Sequence, residues 1–197
     1  EPLQKLLANP ATSALALPLV AKWDTKGEMA DVVKAKVASL STVLGKNDAP
    51  LPERVLAAKA LISLGGANAQ TGVEALADPT SPEELRRAIL AALDESGNTT
   101  PLVTAFDTLN PQLQNVAFDV ILKRPEATLA LLKLIEDGGL KPADIGPGNV
   151  ARLRTHPNKQ VALRANKMLE KLSPVTAEKN KAIAQLIPEV EKPGDAA

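Results

Sequence analysis

Three stretches of the chain share one apolar rhythm. "LPERVLAAKALISLGG", "SPEELRRAILAALDESG" and "NPQLQNVAFDVILKRP" space their hydrophobic residues at 0, 3, 4, 7 and 8, which lines one face of an α-helix. The first gives Ala57, Ala60, Leu61 and Leu64. The second gives Leu85, Ala88, Ile89, Ala92 and Leu93, and the third Leu113, Val116, Ala117, Val120 and Ile121. The faces begin 28 residues apart each time (85 − 57 and 113 − 85), the mark of a tandem helical repeat. Each stretch opens on a proline, whose missing N–H is harmless in the first helical turn. Ser81 and Asn110 precede their prolines as expected N-caps, and Ser81 with Glu84 has capping-box spacing.

Shorter amphipathic segments fall between these helices. "ANAQTGVEALAD" aligns Ala69, Val73, Leu76 and Ala77. "TPLVTAFDTL" aligns Leu102, Ala105, Phe106 and Leu109, and "PEATLALLKLIEDGG" aligns Ala127, Ala130, Leu131, Leu134 and Ile135. Helices joined by turns of a few residues pair as antiparallel hairpins, and no single hairpin buries its own apolar face, so neighbours must stack. The expected fold is all-α, a right-handed α-α superhelix of stacked antiparallel helix pairs.

The ends are less regular. Residues 10–23, with Leu15, Leu19 and Trp23, read as a helix interrupted or kinked near Pro18. A clearer helix covers 28–44 through Met29, Val33, Val37, Leu40 and Leu44. After Ile135 the rhythm breaks at "EDGGLKPADIGPGN". A short helix near 149–154 follows, then one over 158–172 with Val161, Ala165, Met168, Leu169 and Leu172 on one face, and a last one over 176–191. The expected organisation is one domain over 1–190: irregular helices in 1–45, regular repeats in 50–137, a loop at 138–149 and C-terminal helices in 150–190. Residues 191–197 read as the start of a linker. The opening "EPLQKLLANP", without methionine or basic n-region, and the close "EKPGDAA" read as the edges of a segment of a longer protein.

Composition narrows the chemistry. The chain of 197 residues is 45% hydrophobic but only 2% aromatic, a mixture suited to helices packed closely on alanine and leucine. Lys+Arg and Asp+Glu both total 23, so no net field draws nucleic acid or an anionic membrane. With no cysteine, these residues form no disulfide, thiolate nucleophile or cysteine metal site. No apolar run approaches the roughly 18 residues that span a bilayer.

Catalytic patterns are missing in the same way. The single histidine, His156, is a poor start for a metal site, and no H-x-x-x-H or D-x-D spacing occurs. Glu83–Glu84 and Asp94–Glu95 sit at helix ends and point to different faces, unlike an acid/base pair. "GPGNVA" formally matches G-x-G-x-x-A, but no strand precedes it, so it reads as a helix-initiating turn. Asn98–Thr99–Thr100 is a glycosylation sequon, yet Thr100 before Pro101 reads better as an N-cap. No catalytic, cofactor-binding or metal-ligating residue is expected in this chain.

One local bias remains. Arg152, Arg154, Lys159, Arg164, Lys167 and Lys171 face Glu170 alone between 152 and 171, an excess of five (6 − 1). A solvated helix face is the plain reading; a docking surface for an acidic partner is the functional one. With His156, these residues form the candidate interaction surface. His156 itself falls in the turn before a helix, where it caps or packs. No aromatic residue is there to stack on a base, which argues against nucleic acid.

"PERVLAAKALISLGG", "PEELRRAILAALDESG" and above all "LRTHPNKQVALRANKMLEKL" resemble HEAT-type (armadillo-like) repeats, with His156–Pro157 at the turn and Arg164 and Ala165 in the helix. More narrowly, "LKPADIGPGN", "LRTHPNKQVALRA" and "PGDA" resemble the HEAT-like segment of large bacterial proteins. Those join a dehydrogenase-like β-propeller to a c-type cytochrome. The resemblance implies a non-catalytic scaffold that spaces or docks neighbouring domains, a haem only in such a neighbour, and a periplasmic or other extracytoplasmic location. The 28-residue step is shorter than usual for such repeats, and residues 1–45 lack their signature. Alternatives are a free-standing HEAT-like protein that binds an acidic partner, or a HEAT-like enzyme with a pocket near Trp23 or the 138–149 loop.

Overall fold

Prolines begin the helices where the pattern places them. Pro52, Pro101, Pro111 and Pro147 all occupy the first or second position of a helix. A computed structural model describes residues 2–172; the helix expected over 176–191 and the linker at 191–197 lie outside them. Among the described residues, all regular structure is helical: eleven α-helices and one short 3-10 turn, Phe106–Thr108. The helices are α1 (Pro2–Ala8), α2 (Pro10–Trp23), α3 (Ala30–Gly45), α4 (Leu51–Leu64), α5 (Gly66–Ala77), α6 (Glu83–Ser96), α7 (Thr100–Thr104), α8 (Pro111–Leu122), α9 (Pro125–Glu136), α10 (Pro147–Arg154) and α11 (Lys159–Lys171). The chain forms two compact units, one ending at Leu131 and the other beginning at Leu132.

In the first unit the helices pack as two rows. One row runs α2, α4, α6, α8, each touching the next; the other runs α3, α5, α7. α4 lies at the centre, against α2, α3, α5 and α6. Its sequence permits this: Ala57, Ala58 and Ala60 are buried beside Leu61 and Ile62, so small side chains let helices approach from several directions. The predicted faces of α6 and α5 are buried through Leu85, Ile89, Ala92 and Leu93, and Ala69, Val73 and Leu76. Each fully buried leucine or isoleucine contributes about 1.5–3 kcal/mol of transfer free energy. Gly72 marks the tightest approach. A Cβ there would stand 2.7 Å from Ile62 Cγ1, so only glycine fits α5 against α4 at this spacing.

Side chains bind the rows together at helix ends. The fourth residues of α4, α6 and α8 each donate to a carbonyl of the helix end or turn that precedes their helix. Arg54 Nε reaches Leu44 O at 3.0 Å, Arg86 Nη2 reaches Asp78 O at 2.6 Å, and Gln114 Nε2 reaches Phe106 O at 3.1 Å. Terminal carbonyls lack intrahelical partners, and these donors supply them. At the opposite ends, Asn98 Nδ2 donates to Ile62 O at 2.7 Å and Arg124 Nη2 to Asp94 O at 3.1 Å. The accepting carbonyl lies three residues before Gly65 in one case and before Gly97 in the other. Gly97 adopts φ 73°, ψ 4° and its N–H closes on Leu93 O, ending α6 in the left-handed turn that glycine favours. The corresponding carbonyl of α8, Ile121 O, is taken instead by Thr128 Oγ1 of α9 at 2.9 Å.

Several local expectations need correction. α2 is continuous through Pro18, and the break falls at Asn9. Its core face is Ser13, Ala14, Ala16, Leu17 and Val20, whereas Leu15, Leu19 and Trp23 are exposed. Ser81 does not cap α6, which begins at Glu83 after Pro82; its buried Oγ has no hydrogen-bond partner. Thr100 is the first residue of α7 rather than its cap, and no side chain caps that helix. α7 ends after five residues and passes into the 3-10 turn, where the Thr104 and Thr108 hydroxyls bond back to Pro101 O (2.8 Å) and Ala105 O (2.7 Å). Asn110 caps α8 as expected, accepting from Leu113 N at 2.9 Å. On α8, Val116 is exposed, while Phe118 is fully buried and meets Phe106 edge-on at 6.3 Å.

In the second unit, α9 closes through the N–H groups of Gly138 and Gly139 on Ile135 O and Leu134 O, a Schellman arrangement. Leu140 and Ile145 of the following turn are buried, and α10 begins at Pro147. "GPGNVA" is thus the start of a helix. α10 packs against α11.

Candidate interaction surface

The basic residues are placed by two helix starts. α10 follows Gly146, and Asn149 Nδ2 ties its first turn to Ile145 O at 3.0 Å. α10 carries Arg152, whose Nη1 meets Asn149 Oδ1 at 3.2 Å, and the exposed Arg154. α11 starts at an unpredicted cap: Asn158 Oδ1 accepts from Gln160 N (3.0 Å) and Val161 N (3.2 Å). An asparagine three residues before the first apolar position was the available signal.

His156 supports that cap. It is buried, 7% exposed, and its Nδ1 accepts the N–H of Asn158 at 3.0 Å. The acceptor role fixes Nδ1 as the unprotonated nitrogen in this geometry. The imidazole therefore belongs to the turn, as expected, and is not displayed on the surface with the other six candidates.

α11 buries Val161, Ala165, Met168 and Leu169. Arg164 turns from that face to Glu136 and grips it with Nε (3.3 Å) and Nη2 (2.5 Å). The hydrogen bond from Arg164 holds the Glu136 carboxyl below its usual pKa, and the same bond raises that of the guanidinium. Arg164, Lys167 and Lys171 come together with Glu136, Met168 and Leu172 around an open groove of about 460 Å³. Among the described residues, Lys159, Lys167 and Lys171 make no ion pair.

Sequence reasoning missed Leu163. It is 73% exposed and lies four residues from both Lys159 and Lys167, one turn each way along the helix. The signal in the sequence is K-x-x-x-L-x-x-x-K, an apolar residue set between two lysines on one helix face.

A larger groove, about 670 Å³, lies between α6 and α8. Leu90, Leu113, Val116 and Val120 line it, and its rim carries the ion pairs Lys123–Asp94 (2.5 Å) and Arg87–Glu83. No group of three or more metal-binding side chains occurs among the described residues, and no described helix is long and apolar enough to cross a membrane. No protein-family model matches the chain, and no curated protein matches it.

Proposed function

We propose that this chain is a non-catalytic helical-repeat module, a HEAT-like right-handed α-α superhelix of antiparallel pairs. In this reading it spaces or docks neighbouring domains of a larger electron-transfer protein. The observation that carries the repeat reading is the recurrence of equivalent bonds at equivalent places. Arg54, Arg86 and Gln114 close each helix pair, and Asn98 and Arg124 join one pair to the next. Repeat proteins gain their stability from such nearest-neighbour interfaces, and a rigid stack is suited to holding attached domains apart. The electron-transfer context rests on the sequence resemblance alone. Reading the coding sequence on both sides of residues 1–197 tests it: a β-propeller upstream and C-x-x-C-H downstream are expected, and absence of both ends the idea.

A second reading follows from α11. Lys159 sits at the positive end of a helix dipole, an unfavourable place for a cation, with exposed Leu163 between it and Lys167. A basic face with an apolar centre fits an acidic partner segment that carries one hydrophobic residue. Titration with an acidic, leucine-containing peptide should show binding that Leu163→Ala and Lys167→Glu each weaken. Binding unaffected by both variants removes this reading.

A further inference from the structure

α2 is apolar on two sides, and only one of them is covered. Its inner side, Ala14, Ala16, Leu17 and Val20, is buried with Ser13. Its outer side presents Leu15, Leu19 and Trp23, which are 65%, 51% and 62% exposed. Residues 10–21 contain no charged side chain, and Lys22 is the one charge in α2. A helix apolar all round is ordinarily enclosed, whereas α2, packed by α1, α3 and α4, still leaves its Leu15–Leu19–Trp23 side open.

We infer that the Leu15–Leu19–Trp23 ridge pairs with the same ridge of a second copy of this chain. Three features select that occupant. Residues four apart form the ridge type that interdigitates with an identical ridge, at a crossing angle near −50°. A two-fold pairing about Leu19 sets Trp23 of each copy near Leu15 of the other, so the patch is its own complement. The formal net charge of zero leaves no repulsion between copies to overcome. A bilayer surface fits poorly, since interfacial helices carry a polar face rich in Lys and Arg and α2 has a single lysine. The ridge offers on the order of 400 Å² per copy, about half of the ~800 Å² each partner gives to a standard interface. The dimer is therefore weak and reversible. This pairing is independent of the electron-transfer reading.

Trp23 is the only tryptophan and the chain has no tyrosine, so intrinsic fluorescence reports on the patch itself. On raising the protein from about 1 µM to about 1 mM, a range that spans weak dissociation constants, sedimentation should show the mass doubling. Trp23 emission should move to the blue and become less quenchable by acrylamide in step. Leu19→Glu, which sets two like charges face to face at an exposed site, should stay monomeric with red emission while keeping wild-type helicity. Leu15→Lys, on the same ridge, should behave alike. A wild type that stays monomeric overturns the inference. So does a dimer that leaves Trp23 emission unchanged, a dimer that survives both variants, or a blue shift that appears only with anionic lipid vesicles.

Discussion

The side-chain amide of Asn98 donates to the carbonyl of Ile62 at 2.7 Å, joining the end of α6 to the end of α4 across 36 residues of sequence. Its Oδ1 also lies against Gly65, 3.2 Å from where a Cβ would stand. One side chain thus serves as both hydrogen-bond donor and spacer. Asn98→Ala removes one of two bonds to the Ile62 carbonyl, which still accepts the Gly65 N–H at 3.0 Å, and should cost about 0.5–1.5 kcal/mol in urea unfolding. Asn98→Asp, of nearly the same shape, should cost as much because it removes the donor. Stability equal to wild type in both variants means the bond contributes nothing.

α8 offers a paired test of which face is inside. Leu113 is 9% exposed and Val116 47%. Leu113→Asp places a charge against packed helices and should destabilise by more than about 3 kcal/mol. Val116→Asp should stay within about 0.5 kcal/mol of wild type. Equal effects in thermal unfolding would mean the core face is misassigned.

The turn before α11 gives a third expectation. Asn158→Ala removes two capping bonds and should cost about 1 kcal/mol. His156→Ala removes the acceptor for the Asn158 N–H together with a buried ring, and should cost at least that much. Hydrogen exchange of the first-turn amides of α11 reads both; unchanged protection in either variant refutes its assigned role.

Acid should loosen the Glu136–Arg164 clasp. The folded-state pKa of Glu136 is lowered, chiefly by the Arg164 hydrogen bond, so its stabilisation is present above the unfolded-state value. That stabilisation is lost as the pH falls through the folded-state value, in the range below the ordinary glutamate pKa. Both side chains are more than a third exposed, so the contribution is about 0.5 kcal/mol after solvent screening. Protection of the α11 amides, taken relative to the intrinsic exchange rate at each pH, should therefore fall on acidification from about pH 6 to about pH 3, and Glu136→Gln should flatten that fall. Identical acid profiles would contradict it.

Periodicity revealed α4, α6 and α8 because each buries most of its stripe, with Val116 of α8 the exposed exception, and the Asn110 cap followed from one residue type before a proline. Periodicity failed at α2 for a physical reason. Spacing of four identifies a ridge, but a helix with two apolar sides does not tell which one the fold covers. The bonds of Asn98 and Arg124 were invisible because they span 36 and 30 residues and differ in donor type. The apolar spacing of "TPLVTAFDTL" continues past Thr104, whereas α7 stops there and the chain turns through Phe106–Thr108. On α11 the basic residues were legible singly. The Glu136–Arg164 pairing and the exposure of Leu163 needed the fold.

The stacking of helix pairs is tested most directly by distances along one row. The chain has no cysteine, so labels enter cleanly at the ninth residues of α4, α6 and α8 as Lys59→Cys, Ala91→Cys and Asp119→Cys, all exposed positions. Spin-label distances should grow by about 8–10 Å per step between packed helices, making the 59–119 separation roughly twice the 59–91 separation. Equal separations would mean that α4, α6 and α8 close into a bundle, and would contradict the repeat account.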